Sequence, residues 1–275
     1  MMRFILVSIC FLAFNQISFA QNTSDLEKIA AGIVDEAKEL YNLEKTSWLG
    51  TDIFLEKSAD KSNIGGYVSY KNADATKCIF LSQGDNPDVL GMITFDKSFD
   101  LDKAVINLEK RSMTENEKDL YDFRQKALEE INTDTLFKSY SNTSLNIIPI
   151  VYKGIKKVYV LTGPKQAGVM LFGNDYLLTF DKNNNVLSKE ALHKSLIPIF
   201  FEDESNKNAV SAVHSHLADK DPFITVTDVC TLMLYQQFSP WETHYVISPR
   251  YVSIWDCKTN QLKIITKEAF EKLKK

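Results

Sequence analysis

Residues 212–230, AVHSHLADKDPFITVTDVC, place two histidines one residue apart and follow them with a Thr-x-x-Asp. In a β-strand, side chains two residues apart point to the same face, so His214 and His216 can present two imidazoles to one ion. The segment 227–238 opens with a capping residue and then runs apolar, which predicts a buried helix. This stretch therefore predicts a strand, a loop and a helix, with Asp228 in the first turn of that helix as a third ligand.

The chemistry of this set suits zinc. Two imidazoles and one carboxylate leave a fourth tetrahedral position for water, which is the arrangement of catalytic rather than structural zinc. Zinc lowers the pKa of such a water toward neutrality and polarises a carbonyl. Thr225, three residues before the aspartate, is placed to donate a hydrogen bond to a developing oxyanion. The pattern predicts a zinc site formed by His214, His216 and Asp228, with Thr225 as a catalytic residue.

These residues resemble the JAMM motif of MPN-domain zinc metalloproteases, in which His-x-His and Ser-x-x-Asp stand between a strand and a helix. The resemblance is specific over this short segment and extends loosely over residues 150–260. The family's zinc ligands match His214, His216 and Asp228. Its serine, which supports the tetrahedral intermediate, matches Thr225. The resemblance implies an MPN-like, cytidine-deaminase-like mixed sheet and a hydrolase that cleaves a peptide, isopeptide or related amide bond.

The chain departs from the family's pattern in three places. Leu217 stands where a proline usually follows the second histidine, and the gap from His216 to Thr225 is one residue longer than the common form. The family's general base, a glutamate, commonly precedes an apolar run that ends in glycine. The comparable stretch here, PKQAGVMLFG, has Gln166 at that place. Because an amide has no titratable group, Gln166 cannot take a proton from water, so the alternative is a degenerate, non-catalytic domain that binds a metal or a partner.

Two residues of SKEALHKSL are candidates for the roles that remain. Glu190 is a candidate general base, and His193 is a candidate fourth ligand or partner of a ligand. On the strand that the pattern predicts there, their odd separation would point them to opposite faces. The competing interpretation of the motif is structural: Asp228 caps the helix through backbone N–H groups, and the histidines only support the fold.

The first twenty residues, MMRFILVSICFLAFNQISFA, have the pattern of a secretory signal, with one arginine, an apolar run and small residues before the end. We expect cleavage near Ala20–Gln21 and a secreted or periplasmic protein. No segment reaches the roughly 20 apolar residues that a membrane-spanning helix needs. With 32 Lys and Arg against 36 Asp and Glu and no basic cluster, the net charge of −4 argues against nucleic acid as the main partner. The resemblance to the JAMM motif implies a peptide or protein as substrate or partner.

The rest of the chain alternates between helical and strand patterns, which predicts an α/β or α+β fold. Helical spacing over 24–45 and a Thr-x-x-Glu capping box before 115–131 predict two amphipathic helices. Short runs separated by turn formers predict strands over 51–99 and again after residue 145. The polar stretch 132–144 is the predicted boundary.

That boundary divides the mature chain into two predicted parts. Residues 21–145 form an N-terminal α+β module of unknown role, and residues 146–275 form the JAMM/MPN-like domain. Three cysteines, Cys78, Cys230 and Cys257, follow the predicted signal, which is an odd number for an oxidising compartment. A Cys230–Cys257 bridge and three buried reduced thiols both stay open, and the lack of a CxxC pair argues against a thiolate zinc site.

Overall fold

The computed structural model describes residues 3–58, 60–204, 206–217 and 222–273, with side chains from residue 24 onward. Within these residues the chain forms four α-helices and fourteen β-strands, and the predicted α+β fold is confirmed. The helices are α1 (Arg3–Lys57), α2 (Glu115–Thr133), α3 (Val226–Tyr235) and α4 (Lys267–Leu273). The strands of the first half are β1 (Ile64–Asn72), β2 (Ala75–Ser82), β3 (Val89–Phe95) and β4 (Val105–Asn107). Those of the second half are β5 (Thr143–Tyr152), β6 (Ile155–Pro164), β7 (Val169–Gly173), β8 (Tyr176–Phe180), β9 (Val186–Ala191), β10 (Leu196–Phe200), β11 (Ser211–Ser215), β12 (Thr243–Ile247), β13 (Tyr251–Asp256) and β14 (Gln261–Thr266).

The described strands form four sheets. Two are antiparallel and four-stranded, with the orders β1-β2-β3-β4 and β5-β6-β8-β9, and β7 pairs with β10 in a third. The fourth has the order β11-β12-β13-β14, in which β11 runs parallel to β12 and the other neighbours are antiparallel. Because parallel strands need a long crossover, the chain passes through α3 between β11 and β12. This β-α-β unit carries the His-x-His strand and the aspartate helix side by side.

Helix α1 is longer than its sequence pattern indicates. The prediction ended the helix at residue 45 and assigned strands from residue 51, but α1 continues to Lys57. The reason is tertiary packing: Phe54 is 1% exposed, and its ring stacks on Phe80 of β2 at a centroid distance of 4.1 Å. The hydroxyl of Thr51 donates to the backbone carbonyl of Ser47, which lets a polar residue lie inside the helix. The strand prediction for residues 51–57 was therefore wrong.

Helix α2 begins where its capping box predicts. The Thr114 hydroxyl accepts from the backbone N–H of Glu117, and the Glu117 carboxylate accepts from the backbone N–H of Thr114. The guanidinium of Arg111 donates twice to the same carboxylate, at 2.6 and 2.7 Å, and the hydroxyl of Tyr70 donates at 2.7 Å. Although burial opposes ionisation, these donors lower the pKa of Glu117 to about 2. A local sequence signal thus defines this helix end, and long-range donors stabilise its charge.

Helix α1 connects the sheets because its buried side chains enter four separate hydrophobic clusters. These side chains are, in order along the helix, Leu26, Ala37, Leu40 and Phe54. A further cluster contains Ile79 of the first sheet, Phe123 of α2 and Val158 of the second sheet. Side chains on both sides of the predicted boundary at residue 145 therefore share one core, while the division into two domains stays a prediction.

The three cysteines that follow the predicted signal are free and buried. Burial raises the pKa of Cys78 to about 12 and that of Cys257 to about 11, so these thiols pack as small apolar groups. Of the two alternatives for Cys230 and Cys257, the structure has the reduced thiols. No helix among the described residues is both long and apolar enough to cross a membrane. The predicted export signal, residues 1–20, lies outside the residues whose side chains are described, and it stays a prediction.

Candidate metal centre

The two histidines of the opening motif lie together at the end of β11. His214 lies within the strand, and His216 follows it, with its backbone N–H donating to the carbonyl of Ile247 at the end of β12. Strand geometry therefore continues through His216, and both side chains are buried, at 5% and 6% exposed. Their Nε2 atoms lie 3.2 Å apart. The predicted common face of the two imidazoles is confirmed.

Asp228 reaches the histidines from the first turn of α3. Thr225 is the N-cap of this helix, and its hydroxyl accepts from the backbone N–H of Asp228. In return, the Oδ2 atom of Asp228 accepts from the backbone N–H of Thr225 at 2.9 Å and from its hydroxyl at 2.8 Å. The other oxygen, Oδ1, is buried and has no hydrogen-bond partner among the described residues. One carboxylate oxygen thus caps the helix, as the structural interpretation expects, and both oxygens face the histidines.

His193 joins this group from the loop between β9 and β10. Its Nε2 atom lies 3.0 Å from Nε2 of His216, and its Nδ1 atom lies 2.6 Å from Oδ1 of Asp175. An ionised carboxylate only accepts, so Nδ1 carries a proton and Nε2 is the atom that faces the other ligands. A carboxylate behind an imidazole is the usual arrangement around metal-binding histidines, because it fixes the ring and its tautomer. The prediction of strand for residue 193 was wrong, since β9 ends at Ala191.

A glycine lets the His193 loop approach the end of β7, just before Asp175 in the connection to β8. Gly173 ends β7 with φ of +79°, and a Cβ at that position would lie 2.1 Å from the backbone carbonyl of Ser195. No side chain fits there without moving the loop, because real Cβ atoms do not come so close to backbone. Asn174, at φ +51°, then turns the chain so that Asp175 points back at His193.

The candidate ligand atoms lie close enough together to surround one metal ion. Besides the two Nε2–Nε2 separations of 3.0 and 3.2 Å, Oδ2 of Asp228 lies 3.4 Å from Nε2 of His216 and 3.5 Å from Nε2 of His193, while Oδ1 lies 3.6 Å from Nε2 of His214. Zinc binds nitrogen and oxygen at about 2.0–2.1 Å, so the edge of its tetrahedron measures about 3.3–3.4 Å. The five separations lie on both sides of that edge, and all four ligand atoms lie within 4.8 Å of one another.

The electrostatics of the group favour positive charge at its centre. Burial by itself raises the pKa of Asp228, but His193 and His214 outweigh burial and hold this pKa well below its usual range. Burial likewise lowers the pKa of His193, but Asp228 and Asp175 outweigh it and raise the pKa to about 11. The two buried carboxylates, Asp228 and Asp175, thus stabilise a positive charge between them, either as a proton on His193 or as a metal ion.

Two further side chains, His244 and Phe172, contact His214 on the side away from the other candidate ligands. The Nδ1 atom of His214 lies 2.9 Å from Nε2 of His244, which is fully buried on β12. Burial, with His214 beside it, lowers the pKa of His244 to about 3, so this ring is neutral. Phe172 of β7 packs on both rings, at centroid distances of 4.9 and 4.8 Å. These contacts fix the orientation of His214 and keep its surroundings apolar.

The predicted site residues separate into two sets. The structure brings together His214, His216, Asp228 and Thr225, together with the candidate fourth ligand. Glu190 lies on β9, where it is in register with Leu177, and it is outside the four-residue ligand group. Gln166 lies in the turn between β6 and β7 and lines a different cavity. The catalytic roles of Thr225 and Glu190 stay predictions.

Two functional residues were missed by the sequence analysis. Asp175 and His244 stand behind ligands and not among them, and neither belongs to a recognisable spacing. The signal for Asp175 is Gly-Asn-Asp directly after a short apolar strand, since glycine and asparagine are the residues that turn through positive φ. His244 gives no such signal, because its approach to His214 depends on the pairing of β11 with β12.

No family model, curated protein or solved structure matches the chain. The fold and the site define a class: an α+β protein with a group of three histidines and one aspartate, all buried except the partly buried His193, whose ligand atoms lie close enough together to hold a metal ion. The resemblance to the JAMM motif rests on residues 214–228 and stays a prediction.

Proposed function

We propose that this protein is an exported metal-binding protein that holds one zinc ion through His193, His214, His216 and Asp228. The observation that carries the proposal is that ligand atoms of these four residues all lie within 4.8 Å of one another, with close contacts of 3.0–3.6 Å among them. Three imidazole nitrogens and one carboxylate oxygen in a tetrahedron form a donor set that zinc prefers over Mg²⁺ or Ca²⁺, which take six or more oxygens.

The ion has a structural role in this proposal. Four protein ligands fill a tetrahedron, and filled tetrahedra are typical of structural zinc, whereas catalytic zinc keeps one position open. The ligands come from β11, from the start of α3 and from the β9–β10 loop, so a shared ion links segments that are far apart in the chain. This linkage supports the non-catalytic alternative, in which the domain presents a stable surface to a peptide or protein partner outside the cytoplasm.

Metal content tests this proposal directly. We expect about one zinc per chain by elemental analysis of the purified protein, and loss of that zinc in the His214→Ala/His216→Ala variant. Asp228→Asn should also lose metal, because an amide oxygen is a poor substitute for a carboxylate at zinc. Glu271→Gln, which makes the same chemical change at an exposed position of α4, serves as the matched control and should keep its zinc. Protein that neither contains zinc nor takes it up would refute the assignment.

A second candidate function is the zinc-dependent hydrolase of JAMM type that acts on a peptide, isopeptide or related amide bond. It is favoured by the pairing of Asp175 with His193, because a carboxylate that orients an imidazole is also the arrangement of a general base. In this version His214, His216 and Asp228 would hold zinc, which would supply Lewis-acid chemistry. His193 would not be a ligand. It would act as the general base, because the amide of Gln166 cannot take a proton.

The variant His193→Ala distinguishes the two functions. If His193 is a ligand, the variant binds zinc more weakly, and neither protein cleaves a panel of fluorogenic peptides and isopeptide-linked dipeptides. If His193 is the base, wild type cleaves a member of the panel, and the variant keeps its zinc but loses turnover by about 10²–10⁴-fold. Cleavage by wild type with unchanged activity in the variant would contradict both roles for His193.

A further inference from the structure

A cavity of about 580 Å³ lies apart from the metal centre, and we call it the Glu44 cavity. Its walls come from α1, the turn between β6 and β7, and the C-terminal end of α3. Among the described residues that line it, none belongs to the four-residue ligand group. Along α3, Tyr235 in the cavity wall is seven residues from Asp228, which is about 10 Å at 1.5 Å per residue. The volume is in the range of small-molecule sites, about 300–1,000 Å³.

The cavity contains an acid that lacks a full set of partners. Glu44 lies in the middle of α1 and is 6% exposed. Its Oε1 atom accepts from the amide of Asn146 at 2.5 Å, while Oε2 is buried and has no hydrogen-bond partner among the described residues. Burial raises the pKa of Glu44 to about 7, against the opposing effect of Asn146. Close to neutral pH, the carboxyl is therefore often ionised, and a buried carboxylate oxygen without a donor costs free energy.

The cavity also has an aromatic wall that is partly open to solvent. Trp48, one turn after Glu44 on α1, is 40% exposed. Its ring lies 5.9 Å from that of Tyr235 and 6.4 Å from that of Phe238, and all three line the cavity. Tyr67 completes this aromatic wall. Aromatic faces pack against flat apolar groups and also attract cations through their negative electron density.

The charge around the cavity selects for a cation. Its ionisable lining consists of the three acids Glu44, Asp52 and Glu202, against one base, Lys165, besides tyrosines. One buried carboxyl with exposed neighbours does not make a site for a bare divalent ion, which needs several oxygens at once. An ammonium group on an apolar body matches both the acid and the aromatic wall. Its N–H groups donate to the acid while the body lies against the aromatic rings.

We propose that the Glu44 cavity binds a small organic cation, namely a primary or secondary amine carried on an aromatic or aliphatic body. The ammonium group donates to the Glu44 carboxylate, Asn146 holds that carboxylate in place, and the apolar body packs against the rings of Trp48 and Tyr235. This function is independent of the zinc ion and goes beyond metal binding.

Calorimetric titration of the full chain with matched ligands tests the proposal. The probes are 2-phenylethylamine and tryptamine, with 2-phenylethanol and 3-phenylpropionate as isosteres that lack the positive charge. We expect the amines to bind at least about tenfold more tightly than the alcohol, because hydrogen bonds to charged groups are roughly twice as strong as neutral ones. The carboxylate should not bind. Equal affinity for amine and alcohol, or no binding of either amine, overturns the proposal.

Variants identify the groups that bind the amine. Glu44→Gln keeps the shape of the side chain and should weaken amine binding by about 10- to 100-fold. Trp48→Ala should weaken it by about tenfold through lost ring contact. Glu56→Gln, an exposed acid on the same helix, is the matched control and should change nothing.

Zinc content of each variant separates this test from that of the metal centre. Full zinc in Glu44→Gln with lost amine binding supports the cavity alone. Amine binding that survives intact in Glu44→Gln overturns the proposal whatever the zinc content. If the glutamine variant does not fold, the comparison of amine with alcohol on wild type decides the question.

Discussion

Asp228 and Glu44 are both buried carboxylates on helices, yet their pKa values move in opposite directions. The pKa of Asp228 lies well below its usual range, while that of Glu44 is raised to about 7. Asp228 faces three imidazoles and also accepts hydrogen bonds from the N-cap of its own helix. Glu44 has one neutral amide. Burial is common to the two, so the difference comes from the donors that surround each acid.

A third acid shows that this explanation is general within the chain. Glu117 is fully buried, and Arg111, Tyr70 and Thr114 all donate to it, so its pKa is about 2. Its partners are complete without any ligand. Asp228 has an oxygen without a hydrogen bond, in a group that favours a metal cation, and Glu44 has one in a cavity that suits an amine. In each of the two proposals, the ligand would contact the acid that has an oxygen without a hydrogen bond.

Removal of zinc is expected to produce the largest change in the free energy of unfolding. This change should depend on Asp228 and not on Glu44. If free zinc is about 1,000 times its dissociation constant, the ion stabilises the folded chain by about 4 kcal/mol, and a chelator removes that free energy. Urea unfolding with and without chelator measures the difference. Glu44→Gln should respond to the chelator as wild type does, while Asp228→Asn should not respond. Identical unfolding of loaded and stripped wild type would contradict a structural role for zinc.

The pH dependence of stability should show that Glu44 has too few donors to stay ionised at acidic pH. Its folded-state pKa of about 7 lies above the ordinary 4.5, so the folded chain keeps a proton that the unfolded chain releases. This contribution is fully present below about pH 4.5 and is lost as pH rises to about 7, a decline of about 3 kcal/mol. Unfolding free energies of wild type and Glu44→Gln, measured from pH 4.5 to 8, should therefore differ by an amount that changes across this window.

The control for the pH experiment is Glu56→Gln, whose stability should follow that of wild type at every pH. Parallel curves for wild type and Glu44→Gln would mean that Glu44 titrates normally in the folded chain. In that case the contrast with Asp228 would fail.

The smallest effect is expected from Asp175, which contacts the candidate ligand His193 and is not itself a ligand. Asp175→Asn leaves an oxygen that accepts from Nδ1 of His193 but removes the negative charge behind the ring. Changes of this kind weaken metal affinity by about 10- to 100-fold, and we expect the lower end because the hydrogen bond survives. Competition with a zinc chelator measures the affinity. Asp203→Asn, at an exposed position, should keep wild-type affinity, and equal affinity in Asp175→Asn would show that His193 needs no carboxylate behind it.

Local interactions explain what could be predicted of the fold and of the candidate site. The capping box at Thr114 depends on residues three positions apart, so its signal is complete in the sequence. The helix that carries Asp228 was also predicted, but from residue 227, whereas its N-cap is Thr225. The His-x-His pair depends only on the two-residue repeat of a strand. Export, zinc and JAMM-type hydrolysis are expectations from the same local patterns, and they stay predictions.

The remainder depended on contacts between distant segments. α1 extends past its sequence pattern because Phe54 stacks on Phe80, and no local residue indicates this. The sequence named His193 as a candidate fourth ligand, but its actual position depends on the close approach of its loop to Gly173. The Glu44 cavity has walls from helices and turns that are more than a hundred residues apart.

By itself, the sequence determined the cap of α2, the alternation of helices and strands, and the shared face of His214 and His216, because each follows from backbone geometry over a few residues. Only the tertiary structure decided that Asp175 and His244 stand behind the ligands and that Glu44 has too few donors. The physical reason is that ligand geometry and the pKa of a buried acid depend on which groups come within a few ångströms, and the packing of the whole chain sets those distances.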